Sequence, residues 1–216
     1  MKKPAIAQTK TTQAYKAVRK MLIAGDFSET HTWSLRSLSK HLEMSVSPVL
    51  GALRRLEQQG LVVVHPQRGI TTRVLNRRQV SEAYIVREAL EVQAARLLAI
   101  SRNTEAIKKL EHSAKNMVRM FKNNDMKGYA YEDFLFHRTL VEGSNCEMLL
   151  DTYENVAWLC MIIEGGWHDI TLQETLSEAS NHIDLVKSLA RFDPEIAEKA
   201  IRTHINSVAG HYLHRL

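Results

Sequence analysis

The chain has 216 residues, 44% of them apolar and 25% charged, with a formal net charge of +5, proportions ordinary for a globular protein of one large or two small domains. The charge is divided unevenly: residues 1–78 carry 14 Lys+Arg against 4 Asp+Glu, net +10, and residues 79–216 carry 15 against 20, net −5, so a basic module suited to phosphate contact is joined to an acidic one. The longest apolar run, Val156 to Ile163, spans eight residues against about 20 for a bilayer-crossing helix; the N-terminal lysines precede no apolar leader, so membrane insertion and export are excluded and a cytoplasmic location is expected.

In chain order, residues 1–12 are polar and aperiodic and read as a flexible basic tail. A helix follows, with Ala14, Ala17, Val18, Met21 and Leu22 on one face and Gly25 as its stop. After a connector to Trp33, Leu35, Leu38 and Leu42 mark a short amphipathic helix, and Glu43-Met44-Ser45 make a turn. A second helix is expected to open with Ser47 as N-cap and Pro48 at its first position, where a missing N–H costs nothing. Val49, Ala52, Leu53 and Leu56 give its apolar stripe, and Gly60 can end it in the left-handed conformation. Leu61 to Val64, a polar turn His65 to Gly69, and Ile70 to Val74 then read as a two-stranded ribbon.

Helix, turn, helix and wing over residues 13–75 is the order of a winged helix-turn-helix, followed by a linker at 76–78. The second helix of such a pair fits the major groove of double-stranded DNA, and the hairpin reaches a neighbouring groove. The candidate contacts are Arg36, Ser45, Val46, Ser47, Leu50, Arg54 and Arg55, with Arg68 and Gly69 at the wing tip. Arginines suit phosphate or guanine, and Val46 or Leu50 suits a thymine methyl. Gly51 inside a helix implies either a close backbone approach or local tolerance.

From Gln79 onward the pattern is all-helical. Helices are expected over 79–100, 104–121 and 126–142, with Gly143 ending the third. Asn145 caps a fourth that is apolar all round, Gly165-Gly166 breaks it, and two more cover 172–190 and 194–212, the last opened by Asp193-Pro194. Short connections make this an antiparallel bundle, so the whole chain is classed as mainly α.

Three of these helices carry metal-competent side chains on inward faces. Asp133 and His137 share a face at i, i+4; His182 lies on the stripe of Ile183, Val186 and Leu189, and His204 on that of Ala197, Ile201 and Val208. Buried imidazoles need partners, either as hydrogen-bonded core groups or around one cation. One carboxylate and three imidazoles suit zinc first, and also nickel, manganese or iron(II). Arg87 falls within an inward stripe, where it either pairs with Glu91 one turn on or receives a small carboxylate effector with its planar fork. Trp158 and Trp167 read as walls of such a pocket or as core. Cys146 and Cys160 lack CxxC spacing and read as reduced thiols.

With these motifs in place, residues 35–69, including Ser47-Pro48-Val49, Ala52-Leu53-Arg54-Arg55-Leu56-Glu57 and Gly60-Leu61-Val62, resemble the DNA-binding domain of GntR-type transcriptional regulators. The second part is similar to the FCD effector domain of the FadR branch, through Arg87 to Glu91, Ala94-Ala95, Asp133 to His137, Asn145, and His182 and His204 set 22 positions apart. The resemblance implies a homodimeric bacterial regulator binding an operator and a small organic acid, with Asp133, His137, His182 and His204 as metal ligands. Val46 and Leu50 stand where relatives usually have arginine, and Gly51 where glutamate is common, so a different operator is expected. No catalytic residue is assigned; the competing readings are a metal-dependent hydrolase carrying a DNA-binding module, and a direct metal sensor.

Overall fold

A computed structural model describes residues 9–23, 26–27, 32–165 and 172–214. Gly25, Gly166 and Trp167, singled out by pattern, lie outside them. The chain forms two compact units, residues 1–74 and 75–216.

In the first unit, α1 (Lys10–Ile23), α2 (Leu35–His41) and α3 (Val46–Gln58) precede an antiparallel ribbon of β1 (Val62–His65) and β2 (Gly69–Thr72). Ala14, Val18, Leu38, Val49, Ala52, Leu53, Leu56, Leu61 and Ile70 are all buried, so the apolar stripes meet in one core. α2 opens with a reciprocal cap, in which the Ser34 hydroxyl accepts from the Ser37 amide at 3.0 Å and the Ser37 hydroxyl accepts from the Ser34 amide at 3.0 Å. Two local expectations are corrected and one open alternative is decided. Lys10 to Thr12 belong to α1, where Thr9 accepts from the Thr12 amide, and are not tail. The N-cap of α3 is Ser45, with extended backbone, and Ser47 is already helical. Gly51 answers to packing: a Cβ there would meet the Thr11 methyl at 3.1 Å, so α1 and α3 close on each other at this point.

The ribbon holds a feature that the pattern did not disclose. Trp33 forms a bridge to Ile70, each amide donating to the other's carbonyl at 3.1 and 2.8 Å, so β2 is paired on both sides. The wing turn has Pro66 and then Gln67 at φ +63°, closed by the Arg68 amide donating to the His65 carbonyl; proline followed by a left-handed residue is the type II arrangement. Gly69 follows at φ +100°, where a Cβ would stand 2.8 Å from the Trp33 carbonyl oxygen.

The second unit is helical: α4 (Arg77–Ser101), α5 (Thr104–Lys122), α6 (Met126–Glu142), α7 (Glu147–Gly165), α8 (Leu172–Leu189) and α9 (Pro194–Leu213). Arg77 and Arg78, expected in a linker, form the first turn of α4 because Asn76 and Gln79 cap it reciprocally. Asn145 is not the cap of α7; it turns the chain at φ +56°, a conformation that asparagine tolerates. Asp193 caps α9 as read, accepting from the Glu195 and Ile196 amides with Pro194 in the first helical position. α4 lies against α9, α6 and α7, and α5 against α6 and α8, burying Leu98, Leu110, Met117, Phe136, Leu140, Leu189 and Ile201. No helix among the described residues is long and apolar enough to cross a membrane.

Gly69→Ala is expected to destabilise the first unit by about 1–3 kcal/mol, because it combines a positive φ with a backbone contact too close for a methyl; equilibrium denaturation followed by Trp33 fluorescence is the check, and an unchanged midpoint would contradict the strained geometry.

Candidate functional sites

Each unit presents one cluster of the side chains singled out by pattern. In the first, α3 turns Val49, Ala52, Leu53 and Leu56 inward, which leaves Ser45, Val46, Ser47 and Arg54 exposed and Leu50 half-buried on the other face. Ser45 makes no side-chain cap bond, so the first-turn amides of α3 remain open to an acceptor from outside the unit. Arg36 is exposed on α2, Arg68 is exposed at the wing tip, and Gly69 is half-buried behind it. Arg55 is exposed but held locally, its guanidinium lying 4.1 Å from the centroid of the Tyr15 ring; the Tyr15 hydroxyl in turn donates to Gln59 at 2.7 Å. Arg55 therefore braces α3 on α1.

In the second unit, α6, α8 and α9 bring Asp133, His137, His182 and His204 together. The ring nitrogens of the three histidines available to a ligand all fall within 4.8 Å of one another. His204 Nε2 stands 3.3 Å from His137 Nε2, and Asp133 Oδ1 lies 3.0 Å from His182 Nε2 and 3.9 Å from His137 Nε2. Donors bound at about 2.1 Å to one ion sit roughly 3.0–3.4 Å apart when adjacent, so the spacing and the mixed N/O donor set fit a divalent cation. His137 and His182 are buried, His204 is half-buried and the Asp133 side chain is 14% exposed, so the set is enclosed on the side of α4 and less so at Asp133 and His204.

The charges are arranged to suit this. Burial pushes the Asp133 carboxyl upward, but His137, His182 and Arg87 outweigh it and hold the group ionised, well below the usual carboxylate range. Burial, reinforced by His182 and His137, drives the His204 imidazole well below its ordinary value, keeping it neutral as a ligand must be.

Behind these four lies a group that the sequence pattern marks only as a partner for Arg87. Glu91, fully buried on α4, accepts from His137 Nδ1 at 2.5 Å through Oε2, and from Arg87 Nε at 2.8 Å and the Tyr153 hydroxyl at 2.9 Å through Oε1. Of the two readings of Arg87, pairing with Glu91 is thus present; the arginine's charge also acts on Asp133 and His204. Burial opposes ionisation of Glu91, yet His137 and Arg87 bring it down to about 2, while burial and the adjoining Glu91 push the Tyr153 phenol up, so it remains a donor. Trp158 is buried against Phe134, ring centroids 4.6 Å apart.

A basic winged helix-turn-helix followed by a helical unit is the architecture of a DNA-binding regulator. Comparison with known proteins is consistent with this at both ends: residues 10–71 match the model of bacterial regulatory proteins of the gntR family, and residues 82–207 match the FCD domain. The chain belongs to the GntR family of transcriptional regulators, with an FCD domain as its second unit.

An HTH-type transcriptional regulator from the TAR-I ttuE-ttuC' intergenic region of Agrobacterium vitis is 33% identical over 61% of this chain and 79% of its own length. The HTH-type transcriptional repressor RspR of Escherichia coli is 23% identical over 91% of this chain and 86% of its own. Among solved structures, Escherichia coli McbR/YncC shares the fold with a TM-score of 0.87 at 20% identity, covering 96% of this chain and 99% of that one.

Removing one partner of the buried ion pair, by Arg87→Leu, is expected to cost about 3–5 kcal/mol of unfolding free energy, since it leaves the Glu91 carboxylate without its cation; urea denaturation measures it. The depressed Glu91 value also fixes a pH window. Its stabilising contribution is complete above the ordinary 4.5 and is lost as pH falls toward about 2, so the second unit should lose stability through that interval in acid titrations followed by circular dichroism.

Proposed function

We propose that the protein is a one-component repressor or activator whose grip on an operator is set by a small organic acid bound at a divalent metal in the FCD domain. The convergence of three imidazoles and the Asp133 carboxylate, on a unit joined to a winged helix-turn-helix, carries this reading. Asp133, His137, His182 and His204 hold the ion, zinc being the best match to a nitrogen-rich set. A bound ion supplies a Lewis-acid anchor for an oxygen of the effector. Arg87 contributes a fixed positive charge beside the ligand set, which favours a carboxylate, and Trp158, paired with Phe134, offers an apolar ring to the carbon skeleton of the effector.

On the DNA side, Ser45, Val46, Ser47 and Leu50 at the start of α3 meet base edges and the nearest phosphate, with Arg36 and Arg54 on the backbone. Arg68 enters the adjacent groove, brought close by Gly69. The apolar Val46 and Leu50 favour a thymine methyl over guanine at the positions they face. Two copies, acting as a homodimer in the cytoplasm, place two such units on a pseudo-palindromic site. The effector acts only through different affinities for the DNA-competent and incompetent arrangements.

Arg54→Ala and Arg68→Ala are each expected to weaken binding to a selected genomic operator fragment and to reduce the slope of log K against log salt by about 1; fluorescence anisotropy across a salt series measures both, and parallel wild-type slopes would refute the docking. Zinc at roughly 100 times its dissociation constant should stabilise chelator-stripped protein by about 2.7 kcal/mol, and His182→Ala should abolish the accompanying rise in melting temperature. If zinc alone, with no organic acid, releases the operator, the protein senses the metal directly.

A further inference from the structure

We infer that Glu91 is a positioning residue for the metal centre, fixing His137 in the one tautomer that can serve as a ligand; the inference rests on the metal reading above. The argument is one of donors and acceptors. Glu91 offers two oxygens, and three groups share them: Oε1 accepts from the Arg87 guanidinium and from the Tyr153 hydroxyl, and Oε2 faces His137 Nδ1 at 2.5 Å.

A carboxylate with no proton of its own can only accept, so His137 must carry its hydrogen on Nδ1. Its Nε2 then presents a lone pair toward His204 Nε2 and Asp133 Oδ1, 3.3 and 3.9 Å away. Arg87 and Tyr153 hold the carboxylate from α4 and α7, so the ring on α6 meets a fixed acceptor. The Glu91 side chain is wholly inaccessible to solvent, so water cannot substitute for any of these bonds.

Glutamine at this position has the same shape but one acceptor. Arg87, charged, and Tyr153 together claim the single oxygen, which turns the amide N–H₂ toward His137 Nδ1. The ring must then accept on Nδ1 and carry its hydrogen on Nε2, which points an N–H into the ligand set where a lone pair is needed. Tyr153→Phe tests the same hold more gently, since it removes one of the two donors that keep Oε1 in place and leaves every charge intact.

The experiment is a competition titration of zinc against a chromophoric chelator, using the full-length chain stripped of metal. It is paired with the absorption spectrum of the cobalt(II)-loaded protein, which reports ligand identity and geometry. Wild type is expected to bind one ion per chain at this centre. Glu91→Gln should lower zinc affinity about 10- to 100-fold and alter the cobalt spectrum, and Tyr153→Phe should shift both in the same direction by less.

Wild type that binds no ion would overturn the metal reading and this inference with it. Wild type that binds tightly while both variants match it in affinity and spectrum would overturn this inference alone. Should Glu91→Gln fail to fold, the Tyr153→Phe protein decides: an unshifted affinity and spectrum count against the positioning role, and a shift in both supports it.

Discussion

The second unit is built around a charge that has no business in an apolar interior unless it is fully matched. Glu91 sits on α4 at the meeting of α6 and α7, and its ionised form persists there because a guanidinium, a phenol and an imidazole surround it. Removing a carboxylate from water carries a desolvation penalty of several kcal/mol even after relaxation, and replacing a whole buried ion pair by well-packed apolar side chains is often neutral or stabilising, so stability alone does not account for a charge at this position. Its presence implies a task. The task that the geometry supports is orientation of a neighbour, and three helices are thereby held in mutual register at the point where α8 and α9 deliver the remaining imidazoles.

The first unit solves a different problem, that of presenting polar and basic groups from a core too small to be rigid by burial alone. It does so through close approach and stacking. Gly51 lets α1 and α3 meet at the Thr11 methyl, the Tyr15 ring lies under the Arg55 guanidinium, and the Tyr15 hydroxyl ends on Gln59. Arg55 is thereby tied to that scaffold while its side chain stays exposed, and Arg54, Arg36 and Arg68 stand exposed on the same unit.

Much of this could be read from the sequence, for reasons that differ by element. The stripe Val49, Ala52, Leu53, Leu56 and the i, i+4 pair Asp133/His137 are periodic and local, and periodicity is what a sequence displays most plainly. Inward stripes offer convergence of His182 and His204 on His137 as one alternative, and the resemblance favours it, because contacts between distant helices leave no local trace. Glu91 was noticed only as one half of a pair with Arg87, since its bond to His137 joins residues 46 positions apart. Caps were misassigned where two candidates stand close together: Ser45 and Ser47 are both good N-caps by type, and backbone geometry decides between them. The Trp33 bridge leaves no signal in the sequence, because a single bridging residue has no run of alternation to announce it.

That bridge has a further consequence for the wing. A two-stranded ribbon has two edges, and each offers unpaired amides and carbonyls to any passing chain. Here Trp33 covers the β2 side at Ile70, and on the β1 side the Val64 amide donates to the Glu57 carboxylate of α3 at 3.2 Å. With both borders partly sealed from within, the hairpin is poorly suited to adding a strand from another molecule. The first unit thus supplies from its own chain the groups that discourage edge-to-edge aggregation at this ribbon.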